Sequence, residues 1–189
     1  MEQSDLIQLI VKCFESLKIP YFITGSIASM AYGEPRLTND IDVIANITLN
    51  HATEIKKWFP EPDFYLSEDD IKDAIKHRRQ FNIIHPSSGL KIDVIIKENT
   101  PFDASRFKRI VKLQPIKDIT ASFSSPEDII IKKMDFYNQG GSEKHLRDIA
   151  SILKISGDSL DLKYIGVWTD NLKLRDIWET VLKRLKHKP

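Results

Sequence analysis

Cysteine is nearly absent from this sequence. Cys13 alone excludes an internal disulfide, and its setting among Ile10, Val11, Phe14 and Leu17 at helical spacing makes it a packed core thiol, in keeping with a reducing cytosol. An excess of charge is missing too: 28 Lys and Arg stand against 27 Asp and Glu, so the net charge of +1 predicts neither nucleic acid nor membrane binding, and any polyanion site must be local. No apolar run approaches the ~18 residues needed to span a bilayer. The N-terminus also lacks a basic region followed by an apolar stretch, which predicts a cytoplasmic protein without a membrane partner. Internal repeats and low-complexity segments are absent. What is present, 41% hydrophobic and 29% charged residues over 189 positions, is enough for one globular domain with a helical appendage.

Apolar residues at Leu6, Ile7, Ile10, Phe14 and Leu17 predict a helix over 4–18 that Pro20 stops before the strand "YFIT". Gly25-Ser26 then turns the chain into a small-residue helix, "IASMAY", which Gly33 can close with a left-handed cap, and Pro35 makes the next connection a loop. "DIDVIANI" alternates and is β-branched, predicting a strand over 40–47, and "LNHATEIKKWF" returns to helical spacing. "SEDD" at 67–70 resembles a capping box. "FNIIH" and "LKIDVII" flank the turn-rich Pro86-Ser87-Ser88-Gly89 and read as a hairpin. From Ser125 onward four helix-like segments follow, separated by Gly140-Gly141, Ser156-Gly157 and polar breaks. The expectation is therefore an α/β (α+β) front part, residues 1–122, with a mixed sheet flanked by helices, and a C-terminal helical bundle, residues 123–189.

Two aspartates one residue apart sit inside a strand pattern. Strand side chains alternate, so Asp40 and Asp42 share one face while Ile41 and Val43 enter the core. Two carboxylates this close repel each other unless a cation intervenes, and hard oxygen ligands suit Mg²⁺. An Asp-x-Asp by itself also fits a solvated strand edge. Asp93, on the polar face of "KIDVII", is a third acid, and three acids from two strands can carry two metals about 3.5 to 4 Å apart that clamp a phosphoryl displacement. Gly25-Ser26 adds a strand-to-helix turn whose backbone N–H groups and hydroxyl suit a phosphate, although Ser26 also fits a plain helix cap.

With thirteen residues between Gly25-Ser26 and Asp40-Ile41-Asp42, the run "TGSIASMAYGEPRLTNDIDVI" resembles the nucleotidyltransferase superfamily of the DNA polymerase beta type. Its Pro-Arg-x-Thr-x-Asp-Ile-Asp segment is similar to the AbiEii-like, toxin-associated minimal nucleotidyltransferases of prokaryotes. The resemblance implies Asp40, Asp42 and Asp93 as catalytic metal ligands for Mg²⁺ or Mn²⁺, and Gly25 with Ser26 as the loop for the triphosphate of an NTP such as ATP. "SPEDIIIKKMDF" and "EKHLRDIASIL" resemble the helical half of the same families, so that Lys133, Lys144 and Asp148 match while His145 stands where the pattern has an Asp. The likeness spans roughly residues 5–155.

Arg36 suits a triphosphate through its guanidinium fork, or closes the loop onto Glu34 or another nearby acid. His145 has no partner at metal spacing and is read as a surface or packing residue. The basic runs at 76–80 and 183–188 read as solvated helix faces unless they adjoin the metal site, and Trp58, Trp168 and Trp178 as core residues. Two functions fit. One is a two-metal transferase moving a nucleoside monophosphate from an NTP to a hydroxyl of a tRNA end or a protein side chain, in a toxin-antitoxin or phage-defence setting with a cognate partner. The other is a non-catalytic module of the same fold that binds nucleotide or partner.

Overall fold

The computed structural model describes residues 1–116 and 119–186, and it divides into two units: residues 1–27 with 37–123, and 28–36 with 124 onward. The first unit carries a six-stranded mixed sheet in the order β3-β4-β2-β1-β6-β5. Its strands are β1 (Tyr21–Ile23), β2 (Asp40–Ala45), β3 (Gln80–His85), β4 (Leu90–Ile96), β5 (Val111–Ile116) and β6 (Ile119–Phe123). Strands β2 and β4 run parallel, as do β1 and β6, and the other neighbours are antiparallel. The helices of this unit are α1 (Gln3–Ser16), α3 (Ala52–Trp58), α4 (Glu68–His77) and α5 (Pro101–Lys108), while α2 (Gly25–Tyr32) begins here at the end of β1.

Alternation along the strands gives the sheet two different faces. Tyr21 and Ile23, with register partners Ala45 and Val43, lie on the α1 side, where the Phe14 and Tyr21 rings meet at 5.5 Å. Ile41, Ile83, Ile92 and Val94 are buried on the same side. Cys13 lies fully buried on α1, and burial pushes its thiol up to about 12. The opposite face bears Phe22 and Ile44, and α5 covers it there: the Arg106 guanidinium stands 4.8 Å from the Phe22 ring and forms an ion pair of 3.0 Å with Asp103. Farther along that face Asp40 and Asn82 are exposed.

The second unit consists of α6 (Pro126–Gly140), α7 (Glu143–Ser156), α8 (Leu162–Asn171) and α9 (Arg175–Lys186) with residues 28–36. Ser125 caps α6 by accepting from the Asp128 N–H at 3.2 Å, and Pro126 occupies the first turn where no N–H is needed. Ile130, Ile131, Met134, Ile149, Ile152 and Ile165 are fully buried between these helices. Asp128, also fully buried, accepts from Ser125 and, at 2.7 Å, from the Tyr164 hydroxyl of α8.

Several expectations change. Gly33 does not adopt a left-handed conformation; a Cβ there would lie 2.6 Å from Ser151 Oγ and 3.0 Å from the Ser29 carbonyl, so close packing requires the glycine. The strand expected over 40–47 ends at Ala45. Of the three tryptophans only Trp178 is buried; Trp58 and Trp168 are half-buried. The run at 76–80 ends α4 with Arg78 at φ +50° and reaches β3 at Gln80, register partner of Ile95, toward the end of β4 away from Lys91. Of the run at 183–188, residues 187 and 188 lie outside the described residues.

Candidate active site

The site forms where the ends of β1, β2 and β4 meet in the first unit. Parallel pairing sets Asp40 opposite Lys91 and Asp42 opposite Asp93, so all four side chains leave one face of the sheet. Antiparallel pairing of β3 then puts Asn82 beside Asp93 on that face. Three acids and one ammonium therefore share the face of the sheet opposite α1.

Gly25 carries φ +63° at the turn from β1 into α2, and a Cβ built on it would meet Asp42 Oδ2 at 1.9 Å. Only glycine allows the turn to press its backbone against that carboxylate, and the Thr24 N–H, donating to the Asp42 carbonyl at 2.9 Å, fixes the approach. Ser26 follows in the first turn of α2, half-buried. Gly25→Ala is expected to lower stability by about 1–2 kcal/mol, through backbone strain at a positive φ and because Asp42 must turn away from the added Cβ. Thermal melting of the two proteins side by side checks this; an unchanged melting temperature would show that the turn does not need glycine.

Asp93 is 9% exposed, and its Oδ1 is buried without a hydrogen-bond partner among the described residues. Its Oδ2 accepts from Lys91 Nζ at 3.0 Å, and the same ammonium is 3.6 Å from Asp40 Oδ1. The hydrogen bond to Asp93 raises the Lys91 pKa above its ordinary value, with the charges of Asp93 and Asp40 adding to it. Among the described residues no three His, Cys, Asp or Glu side chains are gathered tightly enough to hold a metal ion as they stand. The donor chemistry nonetheless fits Mg²⁺ or Mn²⁺: the carboxylates offer oxygen only, and the orphaned, buried Oδ1 of Asp93 calls for a cation or donor.

The remaining residues singled out in the sequence lie in the second unit. Asp148 on α7 is buried and binds two cations: Lys133 Nζ on α6 at 2.5 Å, and the Arg36 guanidinium, whose Nε and Nη2 reach Oδ1 and Oδ2 at 3.2 and 3.3 Å. Burial pushes the Asp148 carboxyl up, but Lys133 and Arg36 outweigh it and hold the group below its ordinary range. Burial lowers the pKa of Lys133, which is 5% exposed, despite its bond to Asp148. Lys144 is exposed. His145 packs at 5.6 Å from the Phe136 ring with its Nδ1 buried and unpartnered among the described residues, and burial, followed by the Lys133 charge, lowers its pKa.

Lys91 was missed in the sequence. Its signal was present, since Lys-Ile-Asp beside Asp-Ile-Asp places a cation among the acids, but only the strand pairing makes them neighbours.

No family model and no curated protein sequence matches the chain. Solved structures do. The solution structure of the antibiotic-resistance factor ANT(2'')-Ia is similar with a TM-score of 0.59 at 14% identity, over 98% of each chain. An antigenic nucleotidyltransferase-like protein from Paracoccidioides brasiliensis gives 0.57 at 21% identity, over 95% of this chain and 91% of its own. The lincosamide antibiotic adenylyltransferase LnuA, lincomycin-bound, gives 0.53 at 13%, over 82% of this chain and 98% of its own. Over 82–98% of its length the chain therefore has the fold of these proteins, a nucleotidyltransferase fold.

Proposed function

We propose that the protein is a metal-dependent nucleotidyltransferase that moves a nucleoside monophosphate from an NTP to a hydroxyl acceptor and releases pyrophosphate. The observation that supports this most is the register of β2 against β4, which aligns Asp42 with the half-satisfied Asp93 while the Gly25 turn rests on Asp42. Asp40, Asp42 and Asp93 would hold Mg²⁺ or Mn²⁺, which supplies charge neutralisation at the transferring phosphoryl group. Backbone N–H groups at the start of α2 and the Ser26 hydroxyl bind the terminal phosphates of the NTP. The acceptor oxygen attacks the α-phosphorus, the bond from that phosphorus to the bridging oxygen breaks, pyrophosphate leaves with the electron pair, and the acceptor proton passes to Asp93. Exposed Asn82, alongside Asp93, orients the acceptor hydroxyl. Arg36, Lys133 and Lys144 of the second unit are further candidates for contacts to nucleotide or acceptor; Lys144 is exposed, whereas Arg36 and Lys133 hold Asp148.

The acceptor is a tRNA end, a protein side chain, or a small antibiotic such as the lincomycin bound to LnuA or the tobramycin found adenylylated in complex with ANT(2'')-Ia, and the first two suit a toxin-antitoxin or phage-defence pair. Incubation with each α-labelled NTP, Mg²⁺ or Mn²⁺, and in turn total RNA, lysate protein, tobramycin and lincomycin separates these by which species gains label. Nucleotide-dependent stabilisation without label in any acceptor would instead identify a nucleotide-binding module.

A further inference from the structure

The acid patch already contains a cation. Lys91 projects from the same face as Asp40, Asp42 and Asp93, and its ammonium lies 3.0 Å from Asp93 Oδ2 and 3.6 Å from Asp40 Oδ1. Its side chain is 31% exposed, and the four-carbon stem can carry the charge outward without moving the backbone. The second Asp93 oxygen is buried and unpartnered among the described residues, so the lysine satisfies only half of that carboxylate. An ammonium has three N–H donors, whereas a divalent ion takes six or more oxygen ligands and can use what the lysine leaves.

We propose that Lys91 is a resident counter-ion that competes with a divalent cation for Asp93 and Asp40, so that the site loads only when the ammonium swings away. The inference rests on the metal assignment made above for these acids. In the metal-free protein Lys91 offsets the repulsion between Asp93 and Asp40, the two carboxylates its ammonium reaches. Its displacement sets the divalent concentration at which the site fills. The same positive charge that stabilises the empty patch therefore weakens its first affinity for metal.

Mn²⁺ titration of the whole chain, without nucleotide or acceptor, read by calorimetry and by melting temperature, tests this directly. Lys91→Met is expected to bind Mn²⁺ about tenfold more tightly than wild type, since a unit charge within hydrogen-bonding range of the ligands has gone, and to melt lower when metal-free. Lys91→Gln, a polar replacement that also lacks the charge, should behave likewise, and Lys91→Arg should keep the weaker wild-type affinity. Equal or weaker Mn²⁺ binding by both neutral variants, with a clear wild-type response, would overturn the counter-ion role and leave the metal assignment standing. No Mn²⁺ response in wild type or either neutral variant would overturn both.

Discussion

Asp42→Asn is expected to fold normally and to lower nucleotidyl transfer by about 10³-fold, the scale on which removing one preorganised electrostatic partner slows a reaction. Asp42 is central to the patch: it is the register partner of Asp93 and carries the carboxylate against which the Gly25 backbone closes. An amide keeps the shape and the carbonyl oxygen but loses the charge that holds a hard cation. Without metal, the variant should melt at or above the wild-type temperature, because one of three clustered like charges has been removed. Adding Mg²⁺ should then stabilise wild type and not the variant. Wild-type label transfer by Asp42→Asn would disprove the assignment of these acids to the chemistry, and a collapsed melting temperature would show that Asp42 serves the fold instead.

The parts of the site carried by strand alternation and turn chemistry were readable directly. Asp-Ile-Asp predicts two carboxylates on one face with Ile41 and Val43 in the core, and both apolar residues are fully buried. The hairpin was legible because Pro86-Ser87-Ser88-Gly89 separates two β-rich runs; Gly89 takes φ +69° there, and its N–H donates to the His85 carbonyl at 3.0 Å. The four C-terminal helices announced themselves by their caps and breaks.

What the sequence hid was long-range. Strands β5 and β6 and helix α5 went unread: in "VKLQPI" the apolar and polar residues alternate for only four positions before Pro115 interrupts them, and the segment joins the sheet at its edge beside β6. The role of Gly33 was hidden for the same reason: the side chain that crowds it, Ser151, lies more than a hundred residues away. Lys91 reads as a solvated strand lysine until β2 is laid beside β4. Asp148 could be matched to a motif, but nothing local indicates that Arg36, 112 residues earlier, shares its carboxylate with Lys133.

That shared carboxylate carries the largest expected effect on stability. Replacing Asp148 by Asn leaves the Lys133 ammonium, 5% exposed, without its counter-charge and facing a second cation, Arg36. Breaking a buried pair from one side costs about 3–5 kcal/mol, so the variant should melt ~10 °C or more below wild type. Removing the other partner is far milder. In Lys133→Met the buried charge disappears together with its desolvation penalty, a flexible apolar chain fills the space, and Asp148 keeps the Arg36 fork, so the loss should stay within about 1–2 kcal/mol. The pH dependence separates electrostatics from packing. Asp148 has its folded pKa held below the ordinary 3.8, so its contribution is fully present above that value and is lost as pH falls through the folded pKa. The stability gap between wild type and Asp148→Asn, measured by urea unfolding, should therefore be constant near neutrality and narrow below pH 3.8. A gap that persists unchanged into acid, or a Lys133→Met variant as unstable as Asp148→Asn, would mean that side-chain packing rather than charge pairing holds α6 against α7 at this point.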